Sequence, residues 1–287
     1  MSTLVIGGTG NVGGGVVRRL LERGETPRVM TRSPEKFASL PAGCEVVVGD
    51  LTRPETLPPA LAGVERLVLI TALSPTEADE GSAAVAAARK AGVRLLVFLS
   101  VHDVESCPEA PHFKSKIDIE KQIVASGIPF VVVMPNNFYQ NDLFYQQALT
   151  EYGVYPQPLG SLGTSRVDVR DITEAMVTAL SEPGHEGQRY PLVGPDVLTG
   201  PETTAIWSRH LGRDVRYGGD DLVAWAAQSR AYMPEWLVDD LVIMYRHFQN
   251  HGLRASAADF AQQARILGHP PRRFEDFAAE TAAAWKG

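Results

Sequence analysis

Cysteine is nearly missing from this chain: only Cys44 and Cys107 occur in 287 residues. Two cysteines so far apart make neither a disulfide framework nor a zinc-type ligand set, and low cysteine use fits a reducing compartment. A basic surplus is missing as well. The 27 Lys+Arg are outnumbered by 34 Asp+Glu, giving a formal net charge of -7, which is the wrong balance for a protein that tracks phosphate backbones. No apolar run approaches the roughly 18 residues of a membrane span, and no charged segment followed by a cleavable apolar stretch opens the chain. Internal repeats, low-complexity tracts and an obvious interdomain linker are also absent. These absences predict a soluble cytoplasmic protein, monomer or homodimer, with a small-molecule substrate and no metal, nucleic-acid or membrane partner.

Short apolar runs alternate with helical patterns through the first half. The runs 3–7, 28–31, 45–48, 66–71, 94–100 and 129–134 are rich in Val, Leu and Ile and lack the polar alternation of a half-exposed sheet, so they read as parallel strands buried on both faces. Helices are predicted between most of them. Val12, Val16, Val17, Leu20 and Leu21 form one helical face that stops at Gly24; 77–91 is Ala-rich and ends at Gly92; 112–126 ends at Gly127. Strand alternating with helix implies a doubly wound α/β fold with right-handed crossovers. Residues 152–165 read as a loop, a helix is expected from Asp171, a returning strand at 188–194, and mainly helix from Pro201 onward. The expected organisation is a nucleotide domain over 1–153, completed by parts of 164–195, and a smaller, mainly helical C-terminal substrate lobe over 196–287.

Six glycines fall within nine positions, Gly7 to Gly15, where a strand gives way to a helix. Gly8-x-Gly10-x-x-Gly13 and the overlapping Gly7-x-x-Gly10-x-x-Gly13 match the dinucleotide fingerprint in its Rossmann context of strand, turn and helix. Such glycines make the tight turn, let backbone N–H groups approach a pyrophosphate, and let the helix pack close to the strand. Gly7, Thr9, Gly10, Asn11, Val12 and Gly13 are therefore candidate cofactor contacts. The carboxylate that binds a ribose 2′-hydroxyl at the end of the second strand is missing; Thr31-Arg32-Ser33 stands there, with Lys36 a turn later. Arg32 suits a 2′-phosphate through a charge-assisted contact, so NADP(H) is the expected cofactor. Asp50 and Leu51 flank the adenine in this reading, and Thr71, Ala72 and Leu73 lie along the cofactor.

Ser100 ends the fifth predicted strand, and His112-Phe-Lys-Ser-Lys116 opens the next helix. With the glycine stretch, Arg32, "HFKSKIDIEKQIVASGIPFVVVMPNNF" and "RRFEDFAAETAAAW", the chain resembles the NmrA-like group of extended or atypical short-chain dehydrogenase/reductases over nearly its whole length. That group includes quinone reductases, isoflavone-reductase-like enzymes and non-catalytic redox sensors. The resemblance implies a catalytic Ser–Tyr–Lys set in which Lys116 and Ser100 match and His112 occupies the Tyr position. The i, i+4 spacing places His112 and Lys116 on one helix face, and imidazole can transfer a proton near neutrality. Hydride transfer to a quinone or enone needs mainly positioning. The expected activity is thus NADPH-dependent reduction of a small apolar electrophile; the alternative is an NADP(H)-binding sensor acting through a protein partner. Asn136, Asn137, Phe138 and Tyr139 follow the sixth strand and are candidate substrate walls.

Other polar signals have plainer readings. His247 and His251 read as a solvated or partner-facing pair, and Asp168 and Asp171 as helix N-cap residues. Trp207, Trp225 and Trp236 read as lobe core, some of them roofing the substrate pocket.

Overall fold

The protein is described by a computed structural model that covers residues 1–33 and 40–286; Lys36 lies outside the described residues. The first half runs β1 (Thr3–Ile6), α1 (Asn11–Glu22), β2 (Arg28–Thr31), β3 (Glu45–Val48), α2 (Leu57–Leu61), β4 (Arg66–Leu69), α3 (Glu77–Ala91), β5 (Leu95–Leu99), α4 (Pro111–Ser126) and β6 (Phe130–Pro135). The second half runs α5 (Gln146–Thr150), β7 (Val154–Tyr155), α6 (Val169–Ser181), β8 (Gln188–Leu192), α7 (Gly200–Leu211), β9 (Arg216–Tyr217), α8 (Leu222–Ser229), α9 (Glu235–His251), α10 (Ala257–Leu267) and α11 (Phe274–Lys286).

Seven strands form one sheet in the order β3-β2-β1-β4-β5-β6-β8, and every pairing is parallel. The predicted doubly wound α/β architecture is what forms. Alternate residues explain why the strands read as continuous apolar runs. Val5, Val29, Val68, Val97 and Val131 point to one face, where α1, α6 and α10 cover them. Leu4, Met30, Leu67, Leu96 and Val132 point to the other, under α2, α3 and α4. Each such side chain, fully buried, contributes about 1.5–3 kcal/mol. The strand order reverses between β1 and β4, and the crevice above that point is where open α/β sheets bind their ligands.

Three differences from expectation have physical causes. The helix expected from Asp171 begins at Val169, because the Asp168 side chain accepts the Arg170 N–H at 2.8 Å and caps it; Asp171 instead pairs with Arg272. The loop 152–165 contains the two-residue β7, which pairs with β9. Helix α10 leaves the lobe and packs on α6 and β8, burying Ile266 and Leu267 with the first sheet face.

The lobe that forms is wider than 196–287, since its core also takes in residues from 104–159, and it is organised around charge. Arg166 and Asp142 are both fully buried and 2.7 Å apart. Asp142 also accepts from Tyr155, Gln157 and the Trp207 indole at 3.1, 2.6 and 2.9 Å, so neither its charge nor that of Arg166 is left uncompensated. Trp207 is core, as expected; Trp236 is 37% exposed and is not.

Candidate active site

The glycine stretch separates into residues the protein itself needs and two, Gly10 and Gly14, at which an added Cβ would meet nothing closer than 3.5 Å. Gly7 has φ of +83°, a conformation that disfavours any side chain. A Cβ on Gly13 would stand 2.2 Å from the Gly7 carbonyl oxygen, and one on Gly8 would stand 2.7 Å from Val29. Those three are required by packing. Gly10, the N-cap of α1, is exposed, and a Cβ there would meet only the Gly7 oxygen at 3.5 Å. No side chain caps α1 and its first turn carries no acid. Among the described residues, the amides of Asn11, Val12 and Gly13 meet no acceptor, which leaves the positive end of the helix open to an anion. This cradle fits a pyrophosphate.

The flanking candidates differ in exposure and in their partners. Arg32 is exposed immediately after β2. Asp50 turns its carboxylate back on its own loop, accepting from the Thr52 N–H and hydroxyl at 3.0 and 2.8 Å, and Leu51 is buried. Beyond β4, Thr71 is buried while Ala72 and Leu73 are exposed along the crevice edge.

Each of the three candidate catalytic groups faces a carboxylate: His112 and Lys116 from α4, and Ser100 from the end of β5. His112 sits in the first turn, where its backbone N–H donates to Asp240 Oδ2 at 3.1 Å and its ring Nδ1 to Oδ1 at 2.6 Å. Asp240 comes from α9 and is buried, so the lobe caps α4 and orients the imidazole at once, leaving Nε2 as the free ring nitrogen. Lys116, 6% exposed, donates to Glu77 Oε1 and Thr71 Oγ1, each at 2.7 Å, over the Phe98 ring. Glu77 also accepts from the Thr71 and Ser115 hydroxyls, each at 2.6 Å. An ammonium has three donors, and these bonds use two. Ser100 is buried and its hydroxyl donates to Glu120, whose other oxygen holds Arg189 at 2.7 Å. Burial raises the Glu120 pKa above the usual carboxylate value, against the pull of Ser100 and Arg189. The Ser100 hydroxyl is therefore engaged by Glu120 in this structure.

At the carboxyl end of β6 the four candidate walls divide. Asn136 is buried and spends its side chain on His102 and on the Leu253 carbonyl, at 3.1 and 2.9 Å. Tyr139 is fully buried, stacks edge-on against Phe274, and donates to the Arg272 carbonyl at 3.0 Å; both are corrected to core. Asn137 and Phe138 remain partly exposed, held from behind by Arg166, which donates to Asn137 Oδ1 and the Phe138 carbonyl at 3.1 and 2.8 Å. The turn that continues from Phe138 ends at Tyr145. Phe144 and Tyr145 there form one wall of a cavity of about 600 Å³, closed by Tyr152, Arg216, Trp225 and Tyr232. Sequence reasoning missed Glu77, Asp240 and this cavity; the sole local signal for Glu77 is the acidic first turn of α3.

A parallel sheet with an open glycine cradle at its switch point defines a Rossmann-type, dinucleotide-binding α/β protein. More narrowly, the chain belongs to the NmrA-like family, whose model matches residues 2–278. It is 37% identical over 286 residues to the NAD(P)H azoreductase of Xenophilus azovorans, with 98% of each chain covered. It is 36% identical, with the same coverage, to the (4-alkanoyl-5-oxo-2,5-dihydrofuran-3-yl)methyl phosphate reductase of Streptomyces griseus. Among solved structures, the NADPH-dependent quinone oxidoreductase of Escherichia coli complexed with NADPH superposes with a TM-score of 0.87 at 26% identity, covering 99% of this chain and 100% of that one.

Proposed function

We propose that this protein is an NADP(H)-dependent oxidoreductase that reduces a small, largely apolar electrophile such as a quinone or enone. The oxidoreductase class follows from relatives of matching length, two of them named reductases at 36–37% identity. The observation that carries the cofactor is Gly10, a glycine the packing does not require, at the head of a helix whose first amides are free. Those amides would hold the pyrophosphate, and Arg32 a ribose 2′-phosphate. The third Lys116 N–H would reach a ribose hydroxyl, with Glu77 fixing the ammonium in place. When bound, NADPH supplies hydride.

His112 Nε2, oriented through Asp240, would hold the proton that the reduced acceptor needs. The apolar acceptor would rest against Phe138 and the aromatic cavity beyond it. The separate commitment of Ser100, Lys116 and His112 to three carboxylates favours the second reading, a cofactor-binding sensor without turnover.

NADPH consumption across quinones, enones, aldehydes and ketones decides between the two readings. Turnover of the first two classes above the others is expected, and tight NADPH binding with no turnover of any class would establish the sensor.

A further inference from the structure

We infer that the aromatic cavity of the lobe takes a flat aromatic ring system carrying an anionic group, and that Arg216 is the residue that reads the charge. As a statement about the acceptor, this rests on the oxidoreductase reading above; as a statement about binding, it stands on the cavity alone.

The walls set the shape. Phe144, Tyr152 and Tyr232 are 62, 67 and 53% exposed, an unusual amount of aromatic surface to leave around one concavity. The Phe144 ring lies edge-on to Tyr145, 5.2 Å between centroids, and 5.8 Å from Tyr232 with a 42° tilt. Trp225 closes the far side, itself fixed edge-on to Tyr245 at 5.0 Å. The lining also includes Gly218 and Gly219, which put no side chain into the space. A slot of about 600 Å³ with ring walls suits two fused or linked aromatic rings.

The charge comes from Arg216. Its backbone is fixed by the β7–β9 pairing, with its N–H on the Gly153 carbonyl at 2.9 Å. Its guanidinium meets no carboxylate or other acceptor among the described residues, and it is the sole cation lining the cavity. One acid, Asp221, also lines the cavity; its Oδ1 accepts the Val223 and Ala224 amides that open α8, at 2.9 and 3.0 Å. Trp225 supplies ring surface to the wall and no donor, since its indole nitrogen is buried. In a chain of net charge -7, an unpartnered guanidinium beside aromatic faces favours a carboxylate or sulfonate, which it can grip with two parallel bonds while stacking on a ring.

Titration calorimetry without cofactor tests this with naphthalene-2-sulfonate, neutral 2-naphthol and 2-naphthyltrimethylammonium. One sulfonate is expected per chain, bound at least about tenfold tighter than 2-naphthol, with the cation weakest. Arg216→Gln is expected to remove the sulfonate's advantage, and Tyr232→Ala to weaken sulfonate and naphthol alike. Equal affinity for sulfonate and naphthol in the wild type, or a preference that survives Arg216→Gln, overturns the inference. Wild-type NADPH consumption with a small neutral quinone is measured separately. Turnover without sulfonate preference sinks this inference alone, whereas sulfonate preference without any turnover sinks the oxidoreductase reading and leaves the site standing.

Discussion

The two halves of the molecule solve the problem of a stable interior in opposite ways. Around the sheet the interior is aliphatic, and the polar demands are met by backbone: strand ladders, bare helix amides and glycines that let main chain approach main chain. In the lobe the interior is aromatic and ionic, with Trp207, Tyr155, Tyr245 and Phe274 around the Arg166–Asp142 pair. The sheet half tolerates almost no added atom at its turn, but many exchanges among its aliphatic residues should be mild. The lobe half tolerates changes of ring surface but not the loss of one charge. Binding by backbone suits a cofactor whose phosphates never vary. An interior of side-chain bonds holds Asn137 and Phe138 in place and leaves the outer rings free to differ with substrate.

The largest effect is expected at Gly13. Gly13→Ala drives a Cβ onto the Gly7 carbonyl, and neither backbone segment can yield; folded protein should fail to accumulate, or melt more than about 10 °C lower. Next comes Asp142→Asn, which leaves the buried Arg166 without its counter-charge. A loss of about 3–5 kcal/mol is expected, seen as a fall of roughly 10 °C in Tm, and a shift of a degree or two would show that the lobe does not depend on the pair. Gly10→Ala is the sharpening control for Gly13: Tm should stay within about 2 °C, while NADPH affinity falls at least about tenfold because the methyl group enters ligand space. Unchanged affinity would return Gly10 to the structural glycines. Arg32→Ala should lower NADPH affinity about tenfold and leave NADH untouched; an unaltered preference would remove Arg32 from the site.

The smallest effect concerns pH. At the junction of α6 with the C-terminal segment, His269 lies 2.5 Å from Glu174, which also holds Arg272 and Arg19. Burial opposes a charge on His269, but the Pro270 carbonyl and Glu174 outweigh it and raise the pKa above the ordinary 6.5. Burial likewise opposes the Glu174 charge, yet Arg272 and His269 bring its pKa below the ordinary 4.5. The histidine's contribution is complete below pH 6.5 and lost as pH rises through its folded value; the glutamate's is complete above 4.5 and lost as pH falls through its own. The contact therefore helps most in mild acid. His269→Gln should flatten the decline of Tm between about pH 6 and 8, and a profile identical to wild type would show the contact to be idle. Those four side chains also account for the clustering of Asp171, Glu174 and His269 as an ion-pair network.

The legible parts of the chain are those whose cause is local. A parallel strand buried on both faces must be apolar throughout, so β1, β2 and β5 are visible as runs, whereas the edge strand β3 is apolar but half exposed. The Ala-rich window 77–91 coincides with α3 because Gly92 ends it. Gly7 and Gly13 were visible as a spacing and Arg32 as a basic residue where an acid is usual. What stayed hidden depends on partners brought together only by folding. Nothing near His112 announces Asp240, 128 residues on, and nothing near Lys116 announces Glu77. Tyr139 and Asn136 occupy the right chain position for substrate walls, but whether a residue at a sheet edge turns outward depends on what the C-terminal segment lays over it, here Arg272, Phe274 and Leu253.

That late covering has a consequence for biosynthesis. The β8 end of the sheet face bearing Val131 and Val133 is finished by α10, and α6 is tied down by Arg272, so synthesis must run past residue 267 before the sheet's last strand is covered. Until then Tyr190 and Leu192 of β8 lack their α10 partners for several seconds at ordinary elongation rates, about 5–20 residues per second. Stopping synthesis at residue 255 should therefore yield a chain that chaperones retain, although every strand of the sheet has already been made.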